Sequence, residues 1–353
     1  MKHSVIFILV LLAGLSACVR ETAYLACEQV ETIKEFPVTL EEENLTPLPI
    51  DVPGCVDITV ADSFLICKYI KGDYFWQVYS LNDCQFRASL FRRGHGKNET
   101  ADLPGSERVL VNDSSVSCEL LTFENKLYRC NLQRSIDSSC IVVDDITPNV
   151  PGFNDMLATL YRVNDSVYFA RWIKWPGYSR NLYLNNEVVP INNIGNLNDA
   201  FGNEELNTLS AGPFLCVSKN RMVEAMLRLN QLHIYSLDGS WSKTLNIGGE
   251  PMNLYEVDGQ FRINIVDQFS EVKGNDDYIV ALYQGGKETD LMENKVKSSI
   301  LIFDWDGNAK AKVILPFSAS AIDVDTHGNI FLFSRYMETE RIYRYKNVND
   351  IVK

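Results

Sequence analysis

Few residues of this chain have the types and spacing that chemistry at a site requires, and carboxylates are the first candidates. Asp57 alternates with apolar neighbours in Val56-Asp57-Ile58, and Asp323 does the same in Ile322-Asp323-Val324. This alternation is typical of a strand with one polar face. Calcium prefers about six to eight oxygen ligands. Asp57 and Asp323 are therefore weak candidate ligands for a calcium ion.

Histidine, the commonest general base, is scarce in this sequence. The chain has four, at positions 3, 95, 233 and 327, and His233 lies inside an apolar run. A catalytic pair or a zinc site needs several such side chains close together. No Gly-x-Ser-x-Gly, His-Glu-x-x-His or phosphate-loop pattern occurs. The sequence therefore assigns no catalytic residue.

Aromatic and cationic residues cluster between positions 171 and 178. Trp172, Trp175 and Tyr178 lie there beside two cations, before and after a Pro-Gly turn. Aromatic faces flanked by cations stack on sugars and bind peptides. We therefore predict that Trp172, Trp175 and Tyr178 contact a ligand. The alternative is a strand whose tryptophans pack inside the protein.

A second candidate patch follows an apolar stretch that ends at Phe91. Arg93 and His95 lie in Arg-Arg-Gly-His-Gly, a segment whose glycines indicate a turn. We predict that Arg93 and His95 also contact a ligand. The alternative is a solvated strand end.

Strands must position these residues, because the chain is rich in β-branched and aromatic runs separated by turn residues. One unit, an apolar-aromatic strand followed by a tight turn and another strand, recurs at intervals of about 40 to 70 residues, which is typical of propeller blades. The central aromatic residues of the six units are Tyr79, Tyr128, Tyr183, Tyr235, Phe303 and Tyr343.

We therefore predict an all-β fold, a six-bladed β-propeller with four-stranded antiparallel blades. The first repeat shows its four strands at 55–60, 64–70, 75–81 and 85–91, whereas the last, 321–345, has room for only three. An open ring exposes unpaired backbone groups. We expect an N-terminal strand from 29–40 to supply the missing outer strand and close the ring. Two stacked sandwiches are the alternative architecture.

The N-terminus has the pattern of an export signal. Lys2 precedes an apolar run, 5–13, that is too short to span a bilayer, and Leu15-Ser16-Ala17-Cys18 ends the segment. The tetrad resembles the bacterial lipobox, in which the cysteine carries lipid. We predict a signal peptide at 1–17, a lipidated tether at 18–27 beginning with Cys18, and a single propeller domain at 28–353. The alternative is an ordinary signal with an accidental cysteine.

The composition restricts the class of partner but does not decide whether the cysteines form disulfides. A formal net charge of −13 over 353 residues disfavours nucleic acid. Export permits disulfides, and Cys55 with Cys67, or Cys130 with Cys140, are candidate pairs across hairpins. The alternative is that these cysteines are small buried side chains.

The repeats, the lipobox and the segment Phe-Arg-Arg-Gly-His-Gly-Lys-Asn-Glu at 91–99 resemble the TolB-like six-bladed β-propeller lipoproteins of Bacteroidota. In that family an arginine-glycine segment leads into a glycine-rich turn and a glutamate, and Lys97-Asn98 stands here where Pro-Gly is usual. The resemblance implies attachment to the cell envelope and a binding role more than an enzymatic one.

Two functions follow from these observations. The first is a non-enzymatic binding module, monomeric and lipid-anchored to the outer membrane, for an envelope protein or glycan. Whether it faces the periplasm or the cell surface stays open. The alternative is a calcium-dependent hydrolase, lactonase- or esterase-like or lyase-like, with its site in the propeller channel.

Overall fold

The computed structural model describes residues 25–96, 99–103, 105–112, 115–149, 156–174, 177–184, 187–198, 212–249, 266–337 and 339–353. The predicted signal peptide, Cys18 and Trp175 lie outside these residues. Within them, strands β1 to β26 form six small sheets, each a blade of one ring. No helix of the described residues is long and apolar enough to cross a bilayer.

Two short strands precede the first three blades. These are β1 (Gln29–Ile33) and β2 (Val38–Glu41). The first blade contains β3 (Cys55–Ala61), β4 (Phe64–Tyr69), β5 (Tyr74–Ser80), β6 (Phe86–Arg93) and β7 (Glu99–Thr100). The second contains β8 (Gly105–Asn112), β9 (Ser115–Leu121), β10 (Leu127–Asn131) and β11 (Val143–Asp145). The third contains β12 (Leu157–Asn164), β13 (Val167–Lys174), β14 (Gly177–Leu184) and β15 (Glu187–Pro190).

The remaining blades follow the same order, from the inner strand to the outer. The fourth contains β16 (Phe214–Cys216), β17 (Arg221–Ala225), β18 (Gln231–Ser236) and β19 (Ser242–Ile247). The fifth contains β20 (Val266–Gly274), β21 (Tyr278–Lys287), β22 (Ser299–Asp304) and β23 (Ala309–Ile314). The sixth contains β24 (Ala321–Val324), β25 (Asn329–Ser334) and β26 (Arg341–Asn347). The short helices are α1 (Leu132–Ser138), α2 (Gly195–Asn198), α3 (Glu288–Met292) and α4 (Val348–Ile351).

The hydrophobic core is a ring of six clusters, one between each pair of neighbouring blades. One of them joins the first blade to the last, where Ile58 and Leu65 pack with Phe331 and Phe333. Apolar burial is the main favourable term in folding. The ring is therefore closed by side-chain packing, and the predicted six-bladed propeller is confirmed.

The N-terminal segment contacts the ring differently from the expectation. We expected 29–40 to add an outer strand to the last blade. Instead, β1 pairs in parallel with β19 of the fourth blade, and β2 pairs in parallel with β23 of the fifth. The sixth blade keeps three strands, with only an isolated bridge between Pro47 and Tyr343. The segment thus crosses three outer edges before it enters the first blade.

The predicted repeat corresponds to the blades. Each of the six central aromatic residues lies in the third strand of its blade, within β5, β10, β14, β18, β22 or β26. The four strands expected for the first repeat are β3 to β6. In the first five blades the third strand has a sheet neighbour on each side, whereas β26 is the last strand of the sixth blade. A large aromatic side chain on this strand can fill space between blades.

The eight described cysteines are all free thiols. Cys55 and Cys67 are buried, and their thiols are hydrogen-bonded to each other. Cys130 lies opposite Cys118 in the β9–β10 pair, while Cys140 is exposed beyond α1. Residues 25–27, within the segment expected to be a tether, are buried, and Cys27 packs between the third and fourth blades.

Candidate functional site

A cavity of about 810 Å³ lies along the axis of the ring. Its walls come from all six inner strands, β3, β8, β12, β16, β20 and β24, and from turns that follow them. Cavities of roughly 300 to 1,000 Å³ are the usual size for small-molecule sites. Both predicted channel carboxylates, Asp57 and Asp323, line this cavity. It is therefore the candidate functional site.

Asp57 is ion-paired across the first hairpin of the ring. Asp57 and Lys68 are cross-strand partners in the β3–β4 pair, and the distance between Lys68 Nζ and Asp57 Oδ2 is 2.7 Å. The other oxygen, Asp57 Oδ1, accepts the backbone N–H of Ile58 at 2.8 Å. About 30% of the Asp57 side chain stays accessible to water inside the cavity. The pair therefore forms a polar wall that a ligand can reach.

Glu271 and Lys273 add a second pair of charges, both on β20. They flank the buried Val272, which packs between the fourth and fifth blades. Side chains at alternate positions of a strand lie on the same face. Glu271 Oε2 accepts the backbone N–H of Ile322 at 2.7 Å. In the described part of the chain, Lys273 Nζ has no hydrogen-bond or ion-pair partner within 4 Å.

These charges alter one another's protonation. Burial raises the pKa of Glu271 to about 8, and the negative charge of Asp57 adds to the effect. Burial also raises the pKa of Asp323, which Lys273 partly offsets. Burial opposes ionisation of Asp57, but Lys68 and Lys273 hold its pKa below the ordinary value. Lys273 has a raised pKa despite burial, because Asp323 and Glu271 lie near it. Lys273 is therefore charged at neutral pH, while Glu271 is largely protonated.

Two of the cavity carboxylates also connect neighbouring blades. Asp323 Oδ2 accepts the backbone N–H of Val60 at 2.6 Å, which joins the last inner strand to the first. Its Oδ1 accepts the N–H of Val324 at 2.9 Å. The bond from Ile322 to Glu271 links the fifth and sixth blades in the same way. Asp323 therefore supports ring closure as well as lining the cavity.

Replacing Asp323 by alanine is expected to lower the free energy of unfolding by about 2 to 3 kcal/mol. The change leaves the buried N–H groups of Val60 and Val324 without an acceptor, and each buried unsatisfied group costs about 1 to 3 kcal/mol. Urea unfolding followed by tryptophan fluorescence measures the difference. Asp306→Ala, at an exposed turn, is the control and should change stability little. Equal effects of the two substitutions would contradict the closure role of Asp323.

A buried ionic network forms the wall between the third and fourth blades. The carboxylate of Glu224, on β17, accepts from Arg180 Nε at 2.6 Å, Arg180 Nη2 at 2.8 Å and Arg171 Nη1 at 3.2 Å. Tyr235 donates its hydroxyl to the same carboxylate at 2.6 Å. All four side chains are buried. Despite burial, the two guanidinium groups hold the pKa of Glu224 well below its usual range.

The aromatic segment at 171–178 lies beside this network. Arg171 lines the cavity and stacks on the ring of Tyr178, with 4.4 Å between its Cζ and the ring centroid. Tyr178 is half-buried. Trp172 is 6% exposed, and its ring centroid lies 6.1 Å from that of Tyr183. A ligand that reaches this wall would therefore meet Arg171, which stacks on Tyr178, whereas the Trp172 ring packs between the second and third blades.

The second predicted patch lies on the outer part of the first blade. Arg93 stacks 3.9 Å above the ring centroid of Phe75 and donates from Nε to the carbonyl of Gly72 at 3.0 Å. His95 is exposed. Arg93 is on β6, an outer strand, whereas Trp172 and Tyr178 lie on β13 and β14 of the third blade. The two predicted patches therefore do not form one site.

Two glycines of the arginine-glycine motif, Gly94 and Gly96, lie against Glu99. The Glu99 carboxylate accepts the backbone N–H of Gly96 at 2.9 Å. Gly94 has φ +150°, and a Cβ there would lie 2.0 Å from Glu99 Oε2. The backbone conformation at Gly94 thus disfavours a side chain, and Glu99 would have to move to admit one. The motif has a local structural reason that is independent of ligand binding.

The two predicted calcium ligands, Asp57 and Asp323, are engaged by donors of the protein itself. Both oxygens of Asp323 accept backbone N–H groups, and those of Asp57 are taken by Ile58 and Lys68. Among the residues that the structure describes, no three His, Cys, Asp or Glu side chains are grouped as metal ligands. Sequence reasoning missed Lys68, Glu271 and Lys273; the alternation of Glu271 and Lys273 around Val272 was the available signal.

The six sheets and their polar axial cavity define the class of this protein as a six-bladed β-propeller. The family model TolB-like 6-blade propeller-like matches residues 50–327, and the chain belongs to that family. The resemblance inferred from the sequence is therefore confirmed. No curated protein matches the sequence.

Three solved structures are similar to this chain. A member of the DUF4221 family from Bacteroides vulgatus has 11% identity and a TM-score of 0.51, with 86% of this chain and 99% of that chain covered. At this identity the likeness shows the fold alone. Regucalcin, a calcium-binding protein from Agrobacterium tumefaciens, has 8% identity and a TM-score of 0.48, with 88% and 95% covered. A structural-genomics protein from Bacteroides thetaiotaomicron has 10% identity and a TM-score of 0.45, with 88% and 75% covered.

Proposed function

We propose that this protein is a non-enzymatic binding module of the bacterial cell envelope, anchored to the outer membrane by lipid on Cys18. Its partner is an envelope protein or a glycan, part of which enters the axial cavity. The observation that carries this proposal is the cavity itself, about 810 Å³ and lined by every blade. A closed ring holds such a site rigid, and rigidity lowers the ordering cost of binding.

The chemistry of the cavity supports recognition of a polar ligand. Charges of both signs line it together with the hydroxyls of Ser270 and Ser218, and Tyr161 and Phe214 add aromatic surface. A few placed polar groups on a partly apolar wall are typical of a binding site. Tyr178, one of the predicted ligand contacts, stacks against Arg171, which lines this wall. The predicted patch of Arg93 and His95 would be a separate contact on the first blade.

The alternative, a calcium-dependent hydrolase, draws less support from the same geometry. Lys68 and Lys273 share the cavity with the carboxylates, and two ammonium groups oppose a divalent cation. His233 lies between blades, where burial lowers its pKa to about 3. An imidazole with that pKa is a weak base at neutral pH.

Blocking the cavity with a bulky side chain tests the proposal. Gly212 lines the cavity, has no neighbouring atom within 4 Å of an added Cβ and is exposed, so Gly212→Trp adds a bulky side chain to the cavity wall without strain. Gly195→Trp is the matched control, since Gly195 is equally open but does not line the cavity. We expect Gly212→Trp to abolish binding on a glycan array or to purified envelope proteins, and Gly195→Trp to retain it.

Two results would count against the binding module. The first is partner binding that Gly212→Trp leaves unchanged, which would place recognition elsewhere on the ring. The second is turnover of simple lactones or esters that Gly212→Trp abolishes, together with a rise in melting temperature on adding calcium. That combination would establish the hydrolase.

A further inference from the structure

Two groups of opposite charge on β20 lack full partners in the axial cavity. Lys273 Nζ makes no hydrogen bond or ion pair within 4 Å in the described part of the chain. The Oε1 atom of Glu271 makes no hydrogen bond to a described residue either, since only Oε2 is engaged, by Ile322. Both side chains are half-buried in the cavity wall, so water or a bound ligand can make the hydrogen bonds that the protein leaves open.

The spacing of these two groups suits one small ligand. Glu271 and Lys273 are two positions apart on a regular part of the β20–β21 pair, so their Cα atoms are about 7 Å apart and their side chains share a face. An ammonium group and a carboxylate group attached to the same carbon atom, each hydrogen-bonded to a protein side chain, span a similar distance. One molecule can therefore contact both side chains.

The charged groups that act on Glu271 and Lys273 are already engaged. Asp57 is paired with Lys68, and both oxygens of Asp323 accept backbone N–H groups. These three side chains act electrostatically on Glu271 and Lys273. Five other charged residues line the same cavity: Asp62, Arg108, Arg171, Asp276 and Asp325. Two lysines face three carboxyl groups, of which Glu271 is largely protonated at neutral pH. These five groups taken together are thus close to electroneutral, and a ligand with a net charge of either sign would disturb that balance.

We propose that the axial cavity binds a free α-amino acid or a similar small zwitterion, with the ligand carboxylate on Lys273 and its ammonium group on Glu271. The proposal rests on the proposed role of the cavity as a binding site, and it assigns the cavity a small ligand in place of part of a protein or glycan. Because the ammonium group binds the ionised carboxyl, binding releases a proton from Glu271. Affinity should therefore rise with pH up to about pH 8.

Matched probes on the unaltered full chain test both ends of the ligand. Each standard α-amino acid is screened by thermal shift, and the one with the largest shift is titrated by calorimetry. Its α-amide lacks the carboxylate, and its N-acetyl derivative lacks the ammonium group. We expect each blocked compound to bind about ten- to a hundredfold more weakly, because each loses one charge-assisted hydrogen bond.

Substitutions at Lys273 and Glu271 test which end of the ligand each side chain binds. Lys273→Met should weaken the amino acid at least about tenfold and leave binding of the α-amide unchanged. Glu271→Gln should remove the rise of affinity with pH. The exposed Lys71→Met and Glu187→Gln are matched controls and should bind as the parent does. Circular dichroism of each variant reports folding, and the blocked probes on the parent protein stay informative if a variant does not fold.

The outcomes separate this proposal from the proposed function. Equal binding of the amino acid and either blocked compound would overturn the zwitterion site. So would the absence of a shift with every amino acid. If a glycan or protein partner is still lost in Gly212→Trp, the binding module stands and only the ligand class is wrong. If Gly212→Trp leaves both partner and amino-acid binding intact, both proposals fail.

Discussion

Glu224→Gln is expected to lower the free energy of unfolding by about 3 to 5 kcal/mol, the largest effect of any single substitution considered for this chain. Glu224 is fully buried and accepts four hydrogen bonds, three from Arg180 and Arg171 and one from Tyr235. A neutral amide leaves the buried guanidinium of Arg180 without a counter-charge. The third and fourth blades, which this network joins, should separate first on unfolding.

Urea unfolding at neutral pH, followed by tryptophan fluorescence and circular dichroism, measures this effect. Glu187→Gln, the same substitution at an exposed position of β15, is the control and should change stability by less than about 0.5 kcal/mol. Replacing the pair together, Glu224→Leu with Arg180→Met, should recover much of the loss, because an apolar pair of similar volume needs no counter-charge. A loss under about 1 kcal/mol for Glu224→Gln would show that water solvates the network.

The free energy of unfolding should fall by about 2 kcal/mol between pH 7.5 and pH 5 because of His233 alone. The ring of His233 is fully buried, and burial lowers its pKa from 6.5 to about 3, with Arg180 opposing and Glu224 favouring its charge. The unfolded chain therefore binds a proton in this range that the folded chain does not. Stability contributed by the neutral imidazole is complete above pH 6.5 and declines as the pH falls.

Comparing variants isolates this contribution from the other titrating groups. His233→Gln removes the titration and keeps a side chain able to bond Thr244, whose hydroxyl lies 2.9 Å from His233 Nδ1. Its unfolding free energy should change with pH less steeply than that of the parent. His327→Gln, at an exposed turn, should keep the parental slope. Parallel pH curves for the parent and His233→Gln would contradict a buried neutral His233.

The ring and its blades were predictable because their signals are local in sequence. A blade needs four short strands and tight turns, so the aromatic residue of the third strand recurs from Tyr79 to Tyr343. The alternation around Asp57 and Asp323 also sufficed to place both side chains on inner strands, and both line the cavity. Each of these inferences depends on a few adjacent residues.

Which strands pair and which side chains contact each other across the ring was not predictable in the same way. The sequence offered a strand near the N-terminus, but its pairing with the fourth and fifth blades depends on outer edges more than two hundred residues away. The burial of Trp172 depends on Tyr183 of the adjacent strand. Glu224 is one acidic residue in an apolar run until Arg180 and Arg171 are brought to it from another blade.

The sequence by itself determined that this chain is built of repeated small sheets, because strand periodicity and turn chemistry act over a few residues. Only the tertiary structure decided which charges share the axis. Asp57, Lys68, Glu271, Lys273 and Asp323 come from three blades, and their pairing and protonation depend on distances set by closure of the ring. Electrostatic coupling acts through space, so it appears once the first and last blades have met.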